Sequence, residues 1–322
     1  MSPQTPLSNN PTESGFPSRP AGFLFVLGAA LSWSLAGIGI KSVPLSGLAI
    51  VGFRSLFALP IFMWVLRLRA GSLTGKVLWM GVRRRAVWIG AADYAFTMLS
   101  FVLAAKQTTA ANAILLQYTA PIYVVLLSWP LLGERISTVD VLSVFGCFAG
   151  IVWFFLDQLS MSGLVGNLLA LGSGMGLGLL PLLLRRAERD SPLLSAQEKE
   201  LLPFMPTVVL LFGNVLAVLC GALPMVQTTI PSPVSWLWLL VLGVVQIALA
   251  YLFYAAAVRR LRPVECLMIA TLEPILNPVW VALGTGELPS RAAFVGGFLI
   301  LGSVVFHGIH TALRKTRGNK TP

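Results

Sequence analysis

The chain has 322 residues, 56% of them hydrophobic and only 11% charged, with a mean hydropathy of +0.82. That composition excludes a water-soluble globular protein and makes a lipid bilayer the solvent. The net charge of +11 would suit a nucleic-acid binder if basic residues clustered on a soluble face among readable aromatics, but here they lie between apolar runs, so no nucleic-acid partner is expected.

Residues 1–20 are rich in Pro, Ser, Thr and Asn and hold neither an apolar signal core nor a cleavage site, which predicts a disordered tail. A helix crosses the roughly 30 Å hydrocarbon core in about 20 apolar residues. Spans of that kind fall near 22–40, 47–66, 86–105, 110–131, 138–156, 164–184, 203–222, 235–257, 264–284 and 291–312, with the least marked break near 106–109. Cys147, Cys220 and Cys266 all lie in apolar stretches without paired spacing, so neither a disulfide framework nor a zinc site is indicated.

Between the spans the basic residues take sides. Arg19, Arg67, Arg69, Lys76, Arg83–Arg85, Arg135, Arg185, Arg186, Arg189, Lys199, Arg259, Arg260, Arg262, Arg314, Lys315, Arg317 and Lys320 share one face; Lys41, Lys106 and Arg291 lie on the other. The excess marks the cytoplasmic side and puts both termini there.

Set against itself at a shift of 153 residues, the chain brings Pro121 onto Pro274, Gly133-Glu134 onto Gly286-Glu287 and Ser137 onto Ser290. The same shift sets Gly90 on Gly243, Asp93 on Gln246 and Lys106 on Arg259. Two five-helix halves follow. Because five is odd, the second enters the membrane inverted, the arrangement from which alternating access arises. The expected fold is therefore an all-α integral membrane protein of about ten transmembrane helices in two inverted-topology repeats, 21–156 and 164–313, followed by a basic tail at 314–322.

These residues resemble the drug/metabolite transporter superfamily, in the ten-helix branch with two EamA domains. The segment TTAANAILLQYTAPIYVVLLSWPLLGERIS at 108–137 is similar to that family's fourth helix with its Leu-Gly-Glu turn, and LEPILNPVWVALGTGELPS at 272–290 is similar to its partner, with Thr285-Gly286-Glu287 in place of Leu-Gly-Glu. The resemblance, over roughly 22–312, implies an inner-membrane carrier in a bacterium that exports or exchanges amino acids and related metabolites.

Ionisable groups inside spans are costly, about 2.5 to 3.5 kcal/mol at the centre, and default to functional candidates. Asp93 shares a helical face with Thr97 and Ser100. Glu273 lies at mid-span with Asn277 a turn on, and Pro274 and Pro278 interrupt the local backbone ladder. Either carboxyl could hold a cationic substrate group or exchange a proton. Arg54 lies about 10 Å from the outer face at 1.5 Å per residue, within reach of snorkelling, and snorkelling or a structural ion pair is the favoured reading; facing a cavity, it would bind a substrate carboxylate. Glu265 is expected at the interface. Asn112, Gln117 and Tyr118 ahead of Pro121 offer neutral donors and acceptors for a metabolite or, equally, for packing hydrogen bonds, while Trp33, Tyr251 and Tyr254 could wall a site, although packing or interface anchoring is the commoner role of membrane aromatics. Glu134 and Glu287 fit turns or gates.

The run GSGMGLGLLP at 172–181 lacks the strand–turn–helix context of a nucleotide loop and reads as close helix packing. His307 and His310 have no convincing third ligand, so neither metal nor cofactor is expected. The leading reading is a secondary carrier for a small metabolite, working as an exporter, with protons and a second copy of the chain as open partners. A lipid-linked-sugar flippase is the alternative. A membrane-embedded enzyme is disfavoured because the carboxylates are scattered. The charge bias predicts that a C-terminal green fluorescent protein fusion glows while a C-terminal alkaline phosphatase fusion stays inactive; the reverse pattern would overturn the orientation.

Overall fold

The computed structural model describes residues 19–108, 110–134, 136–154, 156, 163–189, 195–229, 231–276 and 291–318. Among these, every regular element is helical. The ten principal helices are α1 (Arg19–Ser42), α2 (Gly47–Ala70), α3 (Arg85–Gln107), α4 (Ala110–Gln117 continued by Ala120–Leu132), α5 (Thr138–Phe154), α6 (Leu164–Arg189), α7 (Met205–Gln227), α8 (Pro233–Val258), α9 (Pro263–Ala270 and a further turn at 273–276) and α10 (Arg291–Gly318). Each predicted span falls on one of them, although the second part of the ninth, with Asn277, Pro278 and the Thr285–Ser290 turn, lies outside the described residues.

Local chemistry sets the ends. Ser46 and Ser232 cap α2 and α8 by accepting from the amides of Ala49 and Ser235. α9 opens on Pro263, whose missing N–H costs nothing in a first turn. α4 closes on Gly133, left-handed at φ 62°. One helix not read from the sequence, Thr74–Arg83, joins α2 to α3. It carries Lys76 and Arg83 and so reads as a polar break, yet Val77, Met80 and Gly81 are buried, a helical repeat that seats it beside α7.

The two halves pack alike. α3 runs along α6 as α8 runs along α1, α4 meets α6 as α9 meets α1, and α3 meets α7 as α8 meets α2. The remaining large contacts, α2 with α7 and α5 with α10, exchange with themselves. Both self-paired contacts cross on glycines: Gly52 against Gly221, and Gly150 against Gly296, where an added Cβ would strike the opposing backbone. Without a hydrophobic drive between helices in lipid, such close backbone approach is a principal source of association. The glycine-rich run of α6 is also a packing surface: Gly172 and Gly176 face α3, whereas Gly174 and Gly178 face the backbone of α4.

Four irregularities interrupt the helices. α1 breaks at Ser34-Leu35, α4 at Tyr118-Thr119 and α9 at Thr271-Leu272, and α8 widens between Leu242 and Leu249 to π-type bonding. The breaks in α4 and α9 lie at the same 153-residue shift as Pro121 and Pro274, the prolines that cause them. Large apolar side chains such as Trp64, Leu126, Phe145, Leu219 and Phe298 point outward, as a lipid-facing surface requires. Gly221→Val should cost about 1–3 kcal/mol by overpacking. Gly302→Val, where a Cβ meets nothing within 4 Å, should leave thermal unfolding in detergent unchanged. Equal melting curves for the two variants would refute the crossing argument.

Candidate functional site

The site begins with a backbone defect. Pro274 has no N–H to give the Ala270 carbonyl, its helical partner four residues back. A side chain from the other half fills the vacancy: Tyr118 Oη, at the break in α4, lies 2.7 Å from the Ala270 oxygen and 2.7 Å from Glu273 Oε2. Tyr118 is buried, whereas Glu273 keeps part of its surface open. The two broken helices, one from each half, therefore meet at a phenol and a carboxyl.

Around this junction stands a group of buried aromatics. Tyr251 of α8 packs edge-on against Trp33 at 5.2 Å and Tyr94 at 4.8 Å between ring centroids, and Tyr254 lies 5.2 Å from Trp33. Trp33 and Tyr251 were sequence candidates for a site wall; Tyr94 was not. Nothing in an apolar helix marks one Tyr as central, although its position next to Asp93 was a usable hint. The ionisable side chains Arg54 of α2, Asp93 of α3 and Glu273 of α9 all lie in the neighbourhood of Tyr251.

Arg54 corrects the snorkelling expectation. Its side chain is wholly buried and does not reach the interface, because α2 packs on both α7 and the widened part of α8. Nη1 donates to Gln246 Oε1 at 3.4 Å and Nη2 to the Met98 carbonyl at 3.3 Å, with Met98 Sδ at 3.5 Å; Nε has no partner. These bonds are long for a guanidinium. No carboxylate among the described residues lies within ion-pair distance of it. Gln246 was visible in the sequence as the counterpart of Asp93, though not as a partner of Arg54.

Asp93 is half-buried beside Gly176, and its Oδ2 is without a hydrogen bond. Its expected neighbours on the same face serve packing instead. Thr97 Oγ1 donates back to the Asp93 carbonyl at 2.8 Å, and Ser100 is buried. Ser173 Oγ donates to the Thr97 carbonyl at 3.1 Å and accepts from Gln117 Nε2 at 2.7 Å, tying α6 to α3 and α4. Asn112 lies farther up α4, where Nδ2 donates to Thr108 Oγ1 and Asn167 Oδ1. The structure thus gathers Arg54, Asp93, Tyr118, Glu273, Trp33 and Tyr251, leaves Asn112 and Gln117 in helix-to-helix bonds, and turns the Thr97 hydroxyl back onto its own helix. Asn277 lies outside the described residues.

The arginine-rich face is held by charge. Asp140, at the start of α5, accepts from both Nη atoms of Arg262 at 3.1 and 2.9 Å and from the Ser137 amide at 2.9 Å, and it bonds His307 Nε2 at 2.8 Å. Arg19 pairs with Glu265 at 2.7 Å, and Arg185 with Glu134 at 3.5 Å. Glu265 stands at the first turn of α9 as expected, but its side chain is buried beneath Arg19. Asp140 was missed because an acid in a helix's first turn reads as an ordinary cap; its long-range partners lie 122 and 167 residues away.

Comparison with known proteins agrees with this architecture. A solved crystal structure superposes with a TM-score of 0.73 over 91% of this chain and 98% of its own, at 21% identity, which speaks to the fold. An uncharacterized transporter of Archaeoglobus fulgidus is 27% identical over 226 residues, 67% of this chain and 74% of that protein. The EamA-like transporter family matches twice, over residues 20–156 and 164–308, one match on each five-helix half. This multi-pass membrane protein belongs to the EamA-like transporter family.

Proposed function

We propose that this transporter is a secondary carrier for an amino acid or closely related zwitterion, and that it exports its substrate from the cytoplasm of a bacterium across the inner membrane. The observation that carries the reading is Arg54, a fully buried guanidinium with an unfilled Nε and no described carboxylate partner, in the neighbourhood of the same tyrosine as Asp93 and Glu273. A buried cation without an acid is costly unless a ligand supplies one. A substrate carboxylate matches its planar fork. The ammonium group of the same molecule then turns to Asp93 or Glu273, and Trp33 and Tyr251 bound the apolar part.

The orientation with both termini in the cytoplasm rests on the charge bias of the loops. Alternating access is supported by the contact pattern, which maps onto itself when the halves are exchanged. The ion pairs joining α1 to α9, α4 to α6, and α5 to the α8–α9 turn and α10 favour the arginine-rich face as the closed one in this conformation. Asp93 and Glu273 are the groups through which protons would couple, and a second copy of the chain remains an open partner.

One observation favours a second reading. A groove of about 230 Å³ lies between the starts of α1 and α9 and the end of α10, with Phe23, Arg19 and Glu265 on its rim, and a lipid-linked-sugar flippase would use such a lateral opening. The readings separate in one experiment: metabolite profiling of cells and medium during overexpression of wild type, Arg54→Gln, Asp93→Asn and Glu273→Gln at equal membrane abundance. Selective accumulation of an amino acid outside wild-type cells, reduced at least about 10-fold in Arg54→Gln by loss of a charged hydrogen bond, supports the carrier. Profiles identical to the empty vector, together with lipid translocation in vesicles, would replace it with the flippase.

A further inference from the structure

We infer that Glu273 carries a proton in this conformation and that Tyr118 is the positioning residue that reads it. The inference rests on counting hydrogens. The Tyr118 phenol has one proton and lies 2.7 Å from two oxygens, the Ala270 carbonyl and Glu273 Oε2. Each distance is that of a full O–H···O bond, whereas a shared proton lengthens both legs. The carbonyl can only accept, and Pro274 has removed the amide that would otherwise serve it, so the phenol proton belongs to Ala270. The bond to Glu273 then needs a proton from the carboxyl, with Tyr118 Oη as its acceptor.

Loss of that proton leaves three oxygens with one hydrogen among them. A carboxylate accepts only, so it draws the phenol proton away from Ala270 and leaves that backbone carbonyl without its donor. The junction of α4 and α9 is therefore complete when Glu273 is protonated and one bond short when it is not. No such device exists at the symmetric position. The counterpart of Glu273 is Ala120 and that of Tyr118 is Thr271, so the switch is built into one pairing of an otherwise repeated scaffold.

The groups that face this carboxyl are neutral or distant. Tyr118 comes from α4 and Tyr251 from α8, and Cys147 of α5 contacts Thr271 at the break. The guanidiniums that approach α9 from α1 and α6, Arg19 and Arg185, act at its first turn on Glu265 and Cys266. Arg54 bonds Gln246 and Met98, and Asp93 lies beside Gly176. A substrate ammonium could take the place of the proton at Glu273, and that consequence alone rests on the proposed transport site.

Infrared difference spectroscopy across a pH titration of the purified protein tests the inference without any substrate. Wild type should show a protonated-carboxyl stretch that is absent in Glu273→Gln and present in Asp93→Asn. In Tyr118→Phe the same band should persist but move to higher wavenumber, because its acceptor is gone. A purely structural tyrosine would not move it. If Glu273→Gln fails to fold, glutamate labelled with carbon-13 in its side-chain carboxyl assigns the band in wild-type protein by its isotope shift. A spectrum with no glutamic-acid band at any pH where the protein is folded would overturn the inference, as would a band unmoved by Tyr118→Phe. Loss of the export phenotype with an intact band would instead refute the transport site and leave the proton in place.

Discussion

In hydrocarbon no water can serve a backbone carbonyl or amide, and most of this architecture follows from that scarcity. Each helix satisfies its own backbone except where proline removes a donor, and there a partner must come from elsewhere in the protein. Pro274 creates such a gap at Ala270, and the phenol that closes it comes from the other half of the chain. One missing hydrogen bond thus joins the two broken helices at their breaks and holds Glu273 at the same junction. The central aromatics stand beside a junction that would otherwise be an unsatisfied defect, and Arg54 and Asp93 lie on the helices packed about them.

The scaffold is nearly symmetric and its chemistry is not. Glycine pairs let α2 approach α7 and α5 approach α10 in the contacts that each exchange with themselves. The polar groups depart from that exchange: Asp93 is matched by Gln246 and Glu273 by Ala120. Asp140, the hub of the ion-pair cluster on the arginine-rich face, is matched by Ala293, and its partner Arg262 by Thr109. Repetition gives a carrier two comparable states, while these departures make the states unequal in charge and hydrogen bonding.

Much of the fold could be read from residue types alone, because a bilayer imposes a length on every apolar run and a side on the basic loops. The 153-residue shift also placed the breaks in α4 and α9, since each is caused by a proline at a matched position. The site was less legible. Glu273, Asp93, Tyr118, Trp33 and Tyr251 stood out as polar or aromatic interruptions of apolar helices, yet Thr97, Asn112 and Gln117 stood out equally and bond within α3 or between helices. Helical periodicity gives the face a residue occupies on its own helix, not which neighbour that face meets.

Solvent, number of spans and repeat follow from residue order alone, because each depends on composition or spacing along one chain. Only the tertiary structure decided that Arg54 is sealed inside rather than reaching for the interface, that Asp140 joins α5 to Arg262 and His307, and that Tyr118 serves Ala270 and Glu273. Those outcomes join residues 122 to 167 positions apart, or depend on which helices surround a side chain. Packing in three dimensions sets both, and no local pattern records them.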